Sequence, residues 1–579
     1  MSIDTPHGTA VDELHPAARA DLAAPAAGGG GSARAWAIAA LTAGASIAVL
    51  RWWVTRDKRE YSLWPDEPAQ LAIARFVGGG THWTMRNHSI WRPGYGSLLG
   101  PVYAFTDDPH AVFRAAMVLN AVLGGVAAAL LVLLARRLTA FGPVGAAACA
   151  VAVAATPALL FPTGFVWSES LIAPLYLGTV LALVCFWDAP SLGRGLAIAV
   201  LCGAGFVTHS RLLPLALVTV LLVAMAVERG RLSRRHAALV VVTLATALLA
   251  ASRYSAFVTD RLWDEPSERN SIGGVVEQLA NPAAIGLSAI GQAWYLLAGS
   301  LGVLAVAVVE MLRRGRAAGV YGVVGLVTAA QVALSVVFMA DRWRPDQVIY
   351  GRYNDVVVAP LLVLGLACFA GRARTAWTRR ELALTVGAAG VVTLVAAVVL
   401  WALRGDVLNE SNGLEPMILA IQPFVDGRPT IPLVRISLLA VVASAVLLVG
   451  VSIRRATGVV LLGAALLSVA TIRTDHVLDR GWSGSGGLQR VARLDDVGGP
   501  LEGGAPVDYY LPQASNSTGR LMLYQWYLPD SDFTVVGQPL TRSSSAYVFA
   551  ESNNPTLIRA GAERVWTDPL KPVSLWHRG

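Results

Sequence analysis

Two adjacent carboxylates, Asp66 and Glu67, stand between Pro65 and Pro68 in the run YSLWPDEP. Proline is tolerated in the first turn of a helix. The residues that follow, Leu71, Ile73, Ala74, Phe76 and Val77, keep an amphipathic spacing. A short helix along a membrane interface is therefore predicted, with Asp66 and Glu67 at its start. One reading makes Asp66 an N-cap and Glu67 a first-turn charge matched to the helix dipole. The other makes Asp66 a general base, because a partly desolvated carboxylate can take the proton of a hydroxyl during group transfer.

The stretch DRWRPDQVIYGRYN carries Arg342, Arg344 and Arg352 just ahead of an apolar run. A planar guanidinium binds two phosphate oxygens at once. Arg352, with Tyr353 beside it, is thus a candidate for holding a lipid phosphate at headgroup level. An ion pair with Asp355 or Asp341 is the alternative. His209 and Arg211 lie in the polar break THSR between two apolar runs, and Glu169 follows Trp167 and Ser168 at the mouth of another. Ionisable groups at membrane depth are costly and are functional candidates by default. For Glu169 and Arg211 the competing reading is an interfacial side chain that reaches water.

Between the acid pair and the next apolar run lie His82, Trp83, Arg86, Asn87, His88, Trp91, Arg92, Pro93 and Tyr95. This composition suits an interfacial aromatic belt. It equally suits a surface that stacks against sugars, which would make His88, Trp91 and Arg92 substrate contacts. His82 and His88 match no zinc spacing, so no metal is expected at this pair. The four cysteines, Cys149, Cys185, Cys202 and Cys368, fall inside apolar runs and read as small buried hydrophobes. No nucleotide-binding glycine loop and no serine-triad signature is present.

The elements that must position these residues follow from composition. Of 579 residues, 55% are hydrophobic and 15% charged, with mean hydropathy +0.55. Soluble domains carry about 25% charge, so soluble, disordered and fibrous classes are excluded. The net charge of +8 and pI of 9.5 would suggest nucleic acid in a soluble protein. In a membrane protein they reflect arginine-rich cytoplasmic loops. About thirteen apolar segments have lengths near the ~20 residues a spanning helix needs. They fall at 33–54, 108–135, 143–160, 166–187, 194–208, 211–227, 237–252, 288–312, 318–340, 355–371, 381–404, 432–453 and 457–473.

Arginines recur in every second loop, at 136/137, 194, 229–235, 313–316, 372–380 and 454/455. Those loops are read as cytoplasmic, which puts the N-terminus inside and the C-terminus outside. Arg51, Arg56, Lys58 and Arg59 conflict locally with this assignment. Three regions result: a disordered cytoplasmic tail at 1–32, a membrane module at 33–473 with the acid pair in its first outer loop (55–107), and an outer domain at 474–579. In the last, Val507–Leu511, Phe533–Val536, Ala546–Ala550 and Arg564–Thr567 read as strands and Ser517–Leu528 as a helix, an α/β order.

Taken in order, several motifs resemble the polytopic glycosyltransferases of the GT-C superfamily. The nearest branch is that of protein mannosyltransferases and lipid A aminoarabinose transferases. The motifs are Pro65-Asp66-Glu67, the run FRAAMVLNAVLGG from Arg114 through Asn120, Ser168-Glu169, Thr208-His209-Ser210-Arg211 and Tyr350-Gly351-Arg352-Tyr353. The resemblance spans roughly 33–371. It implies an all-α polytopic fold with a small extracytoplasmic α/β domain, in the plasma membrane of a bacterium with a GC-rich, actinobacterial type of composition.

The resemblance also implies a reaction. A polyprenyl-phosphate sugar would be the donor and a glycan, lipid or protein of the cell envelope the acceptor, with inversion at the anomeric carbon. No cofactor is predicted and no nucleic acid; a divalent metal at Asp66 and Glu67 stays an open alternative, since related branches differ. Asp66 would be the base, Glu67 would orient a partner or the acceptor, and Arg352, Tyr353 and Arg211 would hold the donor phosphate. Glu169 and His209 would line the cavity. Polymerisation or ligation of diphosphate-linked glycans is an alternative, and lipid-sugar flipping another.

Overall fold

The structure is a computed structural model that describes residues 31–58, 61, 66–80, 83–85, 91–263, 272–314, 319–340, 345–409, 417–425, 431–453, 501, 504–510, 518–536, 545–568 and 572–579. The tail at 1–30, the segment 457–473, His82, His88, Asp341, Arg342 and Arg344 lie outside the described residues.

The main helices are α1 (Ala33–Thr55), α2 (Asp66–Val77), α3 (Pro109–Leu138), α4 (Pro143–Ala154), α5 (Glu169–Asp188), α6 (Leu192–Thr208), α7 (Leu213–Glu228) and α8 (Arg234–Leu262). They continue as α9 (Pro282–Gly299), α10 (Val303–Arg314), α11 (Val320–Phe338), α12 (Ala359–Phe369), α13 (Arg379–Asn409) and α14 (Leu433–Ile453). Among the described residues, eight are long and apolar enough to cross a membrane, counting α7 together with the turn at Ser210. The chain is a multi-pass membrane protein.

Each apolar segment expected up to residue 453 coincides with helix, but not always as one straight span. The segment at 143–160 bends by 76° where α4 gives way to Pro157–Gly164, and α9 meets α10 at 107°. Thr156-Pro157 and the left-handed pair Leu301 (φ 52) and Gly302 (φ 76) mark the two breaks. The helices α6 and α12 are shorter than a full span. Beside the expectation of about thirteen spans, eight helices among the described residues, or up to ten if each bent pair is one span, are long and apolar enough to cross a membrane.

Local signals explain the helix ends. Ser32 accepts the Ala35 N–H, and Asp108 accepts that of His110 ahead of Pro109 at the first position of α3. At the far end of α3, Arg136 and Arg137 face the negative pole of the helix. The helices α1 and α3 touch backbone to backbone: a Cβ on Gly44 would stand 2.9 Å from the Gly125 carbonyl oxygen. The arginine-rich loops gather at one end of the bundle, where Arg137 pairs with Asp188 at 3.0 Å and Arg313 with Glu381 at 3.0 Å.

At the other end sits the C-terminal domain. Its strands are β1 (Pro506–Tyr509), β2 (Asp532–Val535), β3 (Tyr547–Glu551), β4 (Glu563–Thr567) and β5 (Val573–His577), in the order β2-β1-β3-β5-β4. The pairs β2–β1 and β1–β3 are parallel, and the helix α15 (Thr518–Tyr527) links β1 to β2. The pairs β3–β5 and β5–β4 are antiparallel. This domain shares one apolar core with α2 and the start of α3. Gln525 of α15 is fully buried. It accepts the Thr84 N–H at 2.8 Å and donates to the Thr84 carbonyl at 3.0 Å, as a neighbouring strand would. Trp526 packs on Tyr61, Trp83 and Phe113. The helix α2, which begins at Asp66, is thereby held between bundle and domain.

Candidate functional site

Asp66 and Glu67 begin α2 but face different surroundings. Glu67 is fully buried and its carboxylate accepts the Val166 N–H at 3.1 Å. It therefore helps fix the segment ahead of α5, and Asp66 is the more exposed of the two acids. Asn120 of α3 acts on the same segment, donating to the carbonyls of Thr163 (2.9 Å) and Phe165 (2.7 Å) while accepting from Tyr95 Oη at 2.7 Å. Held in this way, Phe165 and Trp167 stack 3.9 Å apart and nearly parallel.

The indole of Trp167 forms the floor for Arg352, whose guanidinium lies 4.1 Å above the ring. Arg352 is placed by a tight turn: Asn354 and Asp355 donate their N–H groups back to the Gly351 carbonyl, and Gly351 donates to Met417 O at 2.8 Å. Gly351 is obligatory here, since a Cβ would stand 2.3 Å from Tyr295 Oη. The expected alternative pairing of Arg352 with Asp355 does not form. Asp355 accepts from Tyr295 Oη at 2.9 Å instead.

All three guanidinium nitrogens of Arg352 are used by two acids. Nε and Nη2 grip Glu169 at 2.6 and 2.8 Å, and Nη1 meets Asp66 Oδ2 at 2.6 Å. The other Asp66 oxygen accepts from Trp91 Nε1 at 2.8 Å. Arg211 reaches Glu169 Oε1 at 3.2 Å and lies 4.8 Å over the ring of Tyr353. The result is a chain Trp91–Asp66–Arg352–Glu169–Arg211, with two negative and two positive charges. Glu169 is 3% exposed and Arg211 6%, whereas the Asp66 side chain is 24% exposed. Asp66 is thus the member of the cluster that solvent or substrate reaches.

His209 accepts the Arg211 backbone N–H through Nδ1 at 3.2 Å and lies edge-on to Tyr353 at 5.6 Å. It sits in the break between α6 and α7. Burial first, then the Arg211 guanidinium, with Glu169 opposing and Arg352 and Arg92 adding to the effect, holds the imidazole well below its ordinary value. Stability therefore depends on pH with a definite sign. An unfolded histidine takes up a proton near pH ~6.5, while the folded one does so only at lower pH, so stability falls as pH drops below about 6.5. We expect the melting temperature of the wild type to decline between about pH 7 and pH 5 more steeply than that of His209→Asn, which keeps an acceptor but cannot titrate. Equal declines would remove His209 from the account.

Arg92 does not join the cluster. It donates to Ser255 Oγ at 3.2 Å and covers Phe206 at 4.3 Å. Among the described residues, no three His, Cys, Asp or Glu side chains group as metal ligands. The cysteines are unpaired. Sequence reasoning missed the floor under Arg352. Trp167 was visible beside Glu169, but nothing in its type announced a cation partner.

No protein-family model matches the sequence, and no curated protein is significantly similar to it. Solved structures do share its architecture. ArnT from Cupriavidus metallidurans bound to undecaprenyl phosphate is 15% identical, with TM-score 0.51 over 95% of this chain and 99% of that one. The same protein in its apo state gives 16% and 0.53, over 93% and 98%. At this identity the likeness is one of fold, and the chain has the GT-C fold.

Proposed function

We propose that this chain transfers a sugar from a polyprenyl-phosphate donor to a hydroxyl of a cell-envelope glycan, lipid or protein. The observation that carries the reading is the placement of a reachable carboxylate, Asp66, against an arginine that is itself anchored by a buried glutamate. The resemblance of fold to a protein crystallised with undecaprenyl phosphate supports the donor class. The arginine-rich loops at the opposite end of the bundle support an extracytoplasmic site and C-terminal domain in a bacterial plasma membrane.

In this reaction the acceptor oxygen attacks the anomeric carbon as the bond from that carbon to the phosphate oxygen breaks. The electron pair leaves with the phosphate, and the acceptor proton passes to Asp66. Attack opposite the leaving group inverts the centre. Arg352 and Arg211 neutralise the departing phosphate, Trp167 and Tyr353 support them, and Glu169 keeps both guanidinium groups in register. Such catalysis is mostly positioning and charge stabilisation. Trp91 and His209 line the approach, and Arg92, tied to Ser255 of α8, braces it.

The test is a side-by-side assay in proteoliposomes with a radiolabelled polyprenyl-monophosphate sugar and a polyprenyl-diphosphate oligosaccharide, using envelope extract as acceptor. Covalent transfer from the monophosphate donor is expected. Transfer only from the diphosphate donor, or lipid flipping without transfer, would overturn the reading.

A further inference from the structure

Arg51 lies one turn before the end of α1 and is 3% exposed. Its Nη2 donates to the Leu159 carbonyl at 2.5 Å, and its Nε has no hydrogen-bond partner. Among the described residues, no carboxylate lies within ion-pair distance of it. The bundle has made room for this group: a Cβ on Gly124 of α3 would stand 2.2 Å from Arg51 Nε. A buried cation without an acid is strongly disfavoured unless something anionic compensates it.

Arg51 also lines a small cavity of about 10 Å³ together with Glu169, Ser170, Arg352 and Asp355. That volume holds a single water-sized group, such as one oxygen atom. Charge counting points the same way. Asp66 and Glu169 already balance Arg211 and Arg352, and Asp355 is a further acid on the same cavity, so an arriving phosphate adds uncompensated negative charge unless a further cation faces it. Arg51 is that cation.

We propose that Arg51 completes an anion site for the lipid donor, with one phosphoryl oxygen seated in this cavity between Arg51 and Arg352. The inference rests on the lipid-phosphate reading above and adds a residue from the first span to it. A purely structural alternative has Arg51 doing no more than satisfying the Leu159 carbonyl beside the bend in the 143–164 segment.

The experiment measures binding of undecaprenyl monophosphate to the full-length protein in nanodiscs, for wild type, R51M and R51K, alongside the melting temperature without lipid. A charge-assisted contact of this kind predicts affinity at least ~10-fold weaker in R51M, and within a few fold of wild type in R51K. The lipid-free melting temperature of R51M should be no lower than wild type, because an unpaired buried charge has been removed. Wild-type affinity in R51M would overturn the inference while leaving the lipid-phosphate reading intact. A wild type that fails to bind the lipid would overturn that reading first. If R51M does not fold, R51Q carries the same comparison.

Discussion

Asp66→Asn is expected to lower the rate of sugar transfer by about 10²- to 10⁴-fold, the usual contribution of a positioned base. The protein should still fold, because Arg352 keeps both of its contacts to Glu169. A second readout separates catalysis from structure. The Asp66 carboxylate occupies Arg352 Nη1 at 2.6 Å, a nitrogen that a donor phosphate on Arg352 would compete for. Removing the negative charge of Asp66 should therefore tighten polyprenyl-phosphate binding while transfer is lost. A merely structural Asp66 would weaken both. Steady-state kinetics and lipid binding on the same preparation give the comparison, and full activity in the variant would sink the assignment of the base.

The second large effect is on stability. Glu169 is the single acid between two buried arginines, so Glu169→Gln leaves Arg211 with no carboxylate and Arg352 with only Asp66. Breaking a buried pair in this way costs roughly 3–5 kcal/mol. The melting temperature of the purified protein should fall sharply, and transfer should fall with it. The double variant Glu169→Gln/Arg211→Gln should recover part of the lost stability, since one uncompensated charge is removed. If the single variant melts with the wild type, the cluster is not the buried network described here.

Much of this site is legible in the residues themselves. Asp66, Trp91, Glu169, His209, Arg211 and Arg352 are polar or aromatic groups at the edges of apolar runs, and the fold gathers them at one end of the bundle. The helices are legible for the same reason, because hydropathy reports span length directly. Bends are less so. A hydropathy window averages across Thr156-Pro157 and Ser300-Leu301-Gly302, and only the proline and the glycine hint at the breaks. In the C-terminal domain the strands near 507, 533, 547 and 564 follow from β-branched and aromatic clusters. The last strand, Val573–His577, is added by the structure.

Contacts that depend on three-dimensional partners were hidden. Glu67 is adjacent to Asp66 in sequence, yet helix geometry turns adjacent residues about 100° apart, and it enters the interior. The stack of Phe165 on Trp167 beneath Arg352 spans too few residues for any period to show. The clasp of Gln525 on Thr84 joins positions far apart in the chain, and nothing local in either marks it. Arg51 conflicts with the arginine pattern on the outer side of the first span; in the fold it is buried against Gly124 and lines a cavity with Glu169 and Arg352.

The central claim is that a donor phosphate takes the place of Asp66 on Arg352. An experimental structure of the protein with undecaprenyl phosphate tests it most directly. The account predicts the phosphate within hydrogen-bond distance of Arg352, with the Asp66–Arg352 pair opened and Asp66 turned toward the mouth. A phosphate bound elsewhere, with that pair still closed, would contradict it.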